Sequence, residues 1–179
     1  SATETEDSER QREDDAMIAL GYASVFAEKT LGSRLSVGIN YVPSALESET
    51  KEKATTDMTT SNTNTAVTQK IKVDFEDLTT YYVALNVTDN MYVKAGVTTV
   101  DVVTKESLGT GSSYGNTSLD GTTIGFGYNK DMDNGVFLRT EASYVNFDSA
   151  KLTSSTGLNT VETTDIDGAS ASISIGKSF

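Results

Sequence analysis

Residues 168–179 read GASASISIGKSF, and this stretch decides how the chain is understood. Side chains on a β-strand alternate between its two faces with a period of two. One face takes Ala169, Ala171, Ile173, Ile175 and Phe179, with Lys177 as its polar member. The other takes Gly168, Ser170, Ser172, Ser174, Gly176 and Ser178. A strand that is apolar on one side, small and polar on the other, and aromatic at its end suits a wall between lipid and a wet interior. The competing reading is the edge strand of a soluble β-domain.

The same alternation recurs upstream. Arg34 to Val42 sets Leu35, Val37, Ile39 and Tyr41 against Ser36, Gly38 and Asn40. A first strand is expected over Ala16 to Lys29, with Ile18, Leu20, Tyr22 and Phe26 on one face and Ala19, Gly21, Ala23 and Ala27 on a crowded inner one. A third runs over about Val73 to Val87, and a fourth over Met91 to Thr104 with Val93, Ala95 and Val97 outward and Lys94, Gly96 and Thr98 inward. The fifth covers Gly121 to Lys130. The sixth covers Val136 to about Asp148, after a turn containing Asn134-Gly135, the strongest short hairpin signal. Short turns alternate with long polar connections at about 43–72, 105–120 and 149–165, rich in Thr, Ser, Asn and charge. Loops that are short at one end and long at the other are what an up-and-down membrane barrel requires. The single proline, Pro43, stands at a strand end, where a missing donor is tolerated.

Composition bounds the rest. The 179 residues make one domain's worth of chain. Hydrophobic residues are only 36%, which fits a wall whose alternate residues alone meet lipid. No run approaches the roughly 18–20 consecutive apolar residues of a membrane helix, so any span must be β. A net charge of −12 argues against nucleic acid as a partner. The chain has neither Cys nor His. Disulfides and the usual nucleophile–base pairs are therefore excluded, and no catalytic, cofactor or metal residues are expected. The acidic run Glu4, Glu6, Asp7, Glu9, Glu13, Asp14 and Asp15 lacks the spacing of a calcium loop and reads as a solvated, self-repelling segment. GTGSSYG (109–115) lacks the strand–glycine–helix setting of a phosphate loop.

With its alternation, loop asymmetry and terminal Phe179, the chain from Ala16 to Phe179 resembles the small eight-stranded bacterial outer-membrane β-barrels, including opacity-type adhesins. The resemblance implies an antiparallel up-and-down transmembrane β-barrel in the outer membrane, with the lipid bilayer and the barrel-insertion machinery as partners. It also makes Gly176 and Phe179 part of the C-terminal insertion signal. The family's last strand ends at the periplasm, which places the short turns there too.

Seven strands are visible, so the first and last run the same way and cannot pair in an antiparallel closure. An eighth is expected upstream of Ser1 or from a neighbouring chain, with residues 1–15 the remainder of an external loop and 16–179 the barrel domain. Lys94, Arg139 and Glu141 fall on the small-residue face and are expected to form a polar network in a narrow, filled interior. Tyr22, Tyr41, Tyr81, Tyr92, Tyr128 and Tyr144, with Phe26, Phe126 and Phe179, are candidates for aromatic girdles at the membrane interfaces. The leading expectation is a non-enzymatic envelope structural protein or surface adhesin acting through acidic, Ser/Thr-rich loops. A soluble ligand-binding β-barrel, a β-subunit joined by strand donation and a narrow small-solute channel are the alternatives.

Overall fold

A computed structural model describes residues 2–6, 9–13, 21–58, 63–108, 113–155, 157, 159–164 and 166–178. Thirteen strands occur in it: β1 (Ala2–Glu6), β2 (Glu9–Glu13), β3 (Val25–Leu31), β4 (Leu35–Tyr41), β5 (Leu46–Glu47), β6 (Lys51–Met58), β7 (Asn64–Asn86), β8 (Met91–Ser107), β9 (Thr117–Asp131), β10 (Val136–Phe147), β11 (Ala150–Thr153), β12 (Asn159–Thr163) and β13 (Ile166–Lys177). The chain is all-β and antiparallel, and the described residues hold no helix long and apolar enough to cross a membrane.

The main sheet is a meander in the order β13-β10-β9-β8-β7-β4-β3, with β5 and β6 continuing beyond β4 along β7. Tight turns join β3 to β4, β7 to β8 and β9 to β10 at one end, here termed the turn side. The last of these uses Asn134 and Gly135, both at positive φ, as a hairpin matched to strand twist demands. Seven alternating strands leave β3 and β13 running in the same direction, as the expected strand count requires. Among the described residues these two edges do not pair, so the sheet is not closed.

The three stretches expected as long polar loops carry strand instead. Residues 43–72 contain β5, β6 and the first part of β7. β8 runs on to Ser107, β9 begins at Thr117, and 149–165 contain β11 and β12. Thr, Val and Ile are good strand formers despite the polarity of these segments. Pairing also satisfies their backbone: β6 lies along Asn64–Ile71 of β7, with Lys70 bonded to Glu52 at 2.6 Å. The acidic first residues also pair, β1 lying between β2 and β12 in a small second sheet. Of the expected first strand, Ala16–Leu20 lie outside the described residues, and regular strand starts only at Val25.

Strands β7, β8 and β9 carry two polarity patterns in succession. On the turn-side half of β8, Met91, Val93 and Val97 are exposed on the outer face, while Tyr92, Lys94 and Thr98 are buried. Beyond Thr99 the phase reverses: Val100 and Val102 are buried and Asp101 is exposed. In β9, Leu119 is inside and Asp120 exposed, whereas further on Ile124 and Phe126 are outside and Thr123 is buried. On β7 a β-bulge achieves the switch. The register against β8 shifts between Glu76 and Thr79, with Asp77 at φ 53. Tyr41 pins the bulge by donating its hydroxyl to Asp77 Oδ1 at 2.6 Å, and Val42 N donates to Leu78 O at 3.0 Å. The outcome is a loop-side core of Val100, Val102 and Leu119, against which Val73, Phe75, Leu78, Phe147 and Ile166 pack.

Candidate functional site

The turn-side interior is built by strands whose inward positions are small or polar. Glycines make room for its rings. Gly38 pairs with Tyr82, and a Cβ there would lie 2.5 Å from the Tyr82 ring. Gly127 stands in the same relation to Tyr92 and Gly176 to Phe137. A ring folded over a cross-strand glycine covers backbone that would otherwise lack side-chain packing. Gly176 thus has a packing role that its reading as part of an insertion signal did not include. Its companion Phe179 lies outside the described residues.

Lys94, Arg139 and Glu141 all point inward, but they form two ion pairs rather than one cluster. Lys94 Nζ bonds Glu141 Oε1 at 2.5 Å, and the Tyr92 hydroxyl also donates to Glu141. Arg139 bonds Glu28 Oε2 at 3.0 Å through Nη1 and Asn129 Oδ1 at 2.8 Å through Nε. The Tyr82 hydroxyl donates to the same Glu28 oxygen at 3.0 Å. Lys94 and Arg139 are 8% and 7% exposed, so each needs its carboxylate, because an unpaired buried charge is costly. Rings complete the cage: the Arg139 guanidinium lies 4.8 Å from the Tyr92 ring centre and 4.9 Å from that of Phe26, and Lys94 Nζ lies 5.0 Å from Tyr82's. Two cations face two carboxylates, leaving the network neutral and filled. Towards the loop side it is bounded by hydroxyls, Thr80 to Thr98 at 2.9 Å and Thr98 to Thr123 at 2.5 Å.

Two sequence expectations are corrected. Tyr92 is not an interface aromatic; it shares the parity of Lys94 and is buried, with its ring over Gly127. Phe26 likewise turns inward, its ring 6.1 Å from that of Phe137 across the interior. The short β3 sequence VFAEKTL alternates weakly, and its phase is the reverse of the one expected, with Phe26 on the inner face. The observed phase also turns Glu28 inward, as the counter-ion of Arg139. The signal available was parity: Glu28 is the carboxylate of β3 that falls in phase with Phe26.

The other tyrosines expected at the interfaces do not enter this interior. Tyr81, Tyr128 and Tyr144 are exposed on the outer face; Tyr41 lies by the bulge, and Tyr22 is exposed ahead of β3. Around them the outer face is apolar, with Ile173 78% and Phe126 62% exposed. One row along the sheet reads Leu31, Leu35, Leu85, Val93, Phe126, Ala142 and Ala171. A groove of about 490 Å³ between Met91, Phe126, Tyr128 and Ile173 belongs to this face, not to the interior. On β8 the outward apolar run from Met91 to Val97 spans about 20 Å along the strand.

On the loop side the outer surface is charged. Asp74 is fully buried there beneath Lys105, which donates to its Oδ2, and Lys72, whose Nζ lies 3.4 Å from Oδ1. Lys72 also reaches Glu47 at 2.7 Å. The Lys105 hydrogen bond holds the Asp74 carboxyl below the usual carboxylate range, outweighing the opposing effect of burial. Glu106, facing inward near the end of β8, is pushed up by desolvation, partly offset by the hydrogen bond its carboxylate accepts from Tyr114 N. Among the described residues no cluster of carboxylates or other ligands is arranged to hold a metal ion. No protein-family model matches this chain, and no characterised protein or solved structure matches it significantly.

Proposed function

We propose that the chain is the membrane-spanning β-sheet of a bacterial outer-membrane protein of the barrel type, a non-enzymatic anchor whose polar loop side acts at the cell surface as envelope structure or adhesin. The observation that carries this reading is the reversal of polarity along β7, β8 and β9. In water, the turn-side half would leave Ile173, Phe126, Ile124 and Val97 exposed while burying Lys94 and Arg139. Against hydrocarbon, the same outer residues are stabilised by about 25 cal/mol for each Å² removed from water. The loop-side half has the ordinary arrangement of a structure in water, with valines inside and charges outside. The boundary between the two, at the level of Thr79, Thr99 and Asp120, is the level at which the sheet leaves the lipid.

A soluble ligand-binding barrel would place its apolar surface inside, where this chain has ion pairs. An open channel needs a lumen, and this interior is occupied by Tyr82, Tyr92, Phe137 and the two ion pairs, with an apolar core on the loop side. The main antiparallel sheet is then the wall that meets the bilayer, delivered there by the barrel-insertion machinery.

The test is flotation with phospholipid vesicles after refolding from urea. The chain is expected to float with the vesicles and to give no conductance steps in planar bilayers. A chain that stays monodisperse in plain buffer and remains at the bottom of the gradient overturns the membrane reading.

A further inference from the structure

Resting on the membrane reading above, we propose that the outer-face groove over β10 seats an acyl chain of an anionic phospholipid from the turn-side leaflet, whose phosphate is met by Lys130 and Lys177. Strand register gives the groove its shape. The outward residues of β10 are Leu138, Thr140, Ala142 and Tyr144. Thr140 lies between Tyr128 and Ile173, and Ala142 between Phe126 and Ala171. Two short side chains therefore make a floor below taller rows, Phe126 and Tyr128 on β9 and Ile173 and Ile175 on β13. Tyr144 ends the floor on the loop side. From Leu138, which faces Lys130, to Tyr144 is six residues, or about 20 Å of strand. At the tilt of about 40° usual in membrane barrels, this crosses about 15 Å, half of a hydrocarbon core about 30 Å thick.

Both walls end in a cation. The outward run of β9 is Ile124, Phe126, Tyr128 and then Lys130; that of β13 is Ala171, Ile173, Ile175 and then Lys177, the polar member of an otherwise apolar face. Both lysines are exposed. Lys130 faces Leu138 and Lys177 faces Val136, so they flank β10 one outward step apart. That is about 10 Å across the strands and about 7 Å along them, near enough for two long side chains to meet one phosphate. Lysine stems lie along apolar surface while the ammonium reaches the headgroup level. Asp131, next in sequence to Lys130, pairs with Phe137, whose ring fills the interior, so alternation turns it from this face. Asp133 belongs to the turn between β9 and β10.

Size and charge select the occupant. The groove holds about 490 Å³, within the range of about 300–1,000 Å³ of sites for single small ligands, and it opens sideways to hydrocarbon. Across β7 and β8 the outward residues instead meet bulky against bulky, Leu85 with Val93 and Tyr81 with Val97. A second copy docked here about an axis along the membrane normal would set lysine against lysine at the turn end. Like charges brought together in this way count against that partner. A phospholipid supplies what each part lacks: a narrow apolar chain for the floor and a negative charge for the lysines.

The experiment is native mass spectrometry of the full chain in non-ionic detergent, counting retained lipid, with vesicle flotation scored on the same preparations. The probes are dimyristoyl phosphatidylglycerol and dimyristoylglycerol, which has the same chains and no phosphate. The chain is expected to retain one phosphatidylglycerol and to bind dimyristoylglycerol about tenfold more weakly. Lys130→Gln with Lys177→Gln should weaken phosphatidylglycerol by about tenfold or more and leave dimyristoylglycerol unchanged. Ala142→Phe fills the floor and should weaken both lipids by about tenfold. Ala95→Phe, the same enlargement at an exposed outward position of β8, should weaken neither. Three results overturn the proposal: equal retention of the two lipids, retention indifferent to the lysine pair, or equal effects of Ala142→Phe and Ala95→Phe. If Ala142→Phe does not float, the first two results alone decide. Failure of the parent chain to float overturns the membrane reading itself; flotation with any of the three results overturns only the lipid site.

Discussion

Replacing Glu141 with alanine separates a packed interior from a wet one. Glu141 accepts from Lys94 Nζ at 2.5 Å and from the Tyr92 hydroxyl. Its loss leaves the Lys94 ammonium buried with only the Tyr82 ring 5.0 Å away. Removing one partner of a buried ion pair costs about 3–5 kcal/mol, and an unsatisfied hydroxyl adds about 1–3 kcal/mol. The retained cation–π contact and some relaxation offset part of this, by about 1–2 kcal/mol. The net expectation is a loss of about 4 kcal/mol. Urea titration in lipid vesicles measures it, followed by tyrosine fluorescence, since the chain has 8 Tyr and no Trp. The double variant Lys94→Met with Glu141→Leu removes both charges and should recover most of the loss. A water-filled lumen would solvate Lys94, so a Glu141→Ala cost below about 1 kcal/mol, the range of exposed pairs, would refute the filled interior and reopen the channel reading.

Ile173→Lys places a charge at the most exposed large apolar position of the outer face. A lipid-facing lysine costs about 2–4 kcal/mol near the midplane of a bilayer, so vesicle flotation should fall sharply; unchanged flotation together with better solubility in plain buffer would contradict the lipid-facing assignment. The loop-side sheet should also weaken in acid. Because the Asp74 carboxyl is held below its unfolded value, its stabilisation is complete above about pH 4 and is lost as pH falls through the depressed value. Glu106 works in the opposite sense: its raised value makes the folded state lose stability as pH rises from the ordinary carboxylate range, up to that raised value. Exchange rates at Val73 and Val102 between pH 3 and 7 report both, and Asp74→Asn should remove the acid-side loss while Glu106→Gln removes the other.

The faces of β4, of β13 and of the turn-side half of β8 were legible from alternation, because a period of two leaves no freedom once hydrophobicity is strict. The hairpin at Asn134-Gly135 was equally plain, since few residues tolerate two successive positive φ values. The reversal of polarity was also present, as odd-numbered steps between apolar positions, Val97 to Val100 and Leu119 to Ile124. Alternation alone does not reveal it, because the inward parity of β8 and β9 stays constant while the polarity of the residues on each face changes. The loop regions misled for a related reason: threonine-rich polar segments satisfy their backbone by pairing, and polarity alone does not say whether they will.

What the sequence by itself determined is therefore local: which residues share a face, where the chain turns, and that these residues offer no His or Cys for acid–base or thiol chemistry. The tertiary structure decided what those faces meet. It set the phase of β3 and so turned Phe26 inward, placed the bulge at Asp77 and joined Arg139 to Glu28 across 111 residues of sequence. Alternation along one strand cannot determine such pairings, because they depend on the register between strands and on the curl of the whole sheet. The same curl brings β3 and β13 to the two sides of one seam, where GASASISIGKSF, in its described part, becomes an open edge.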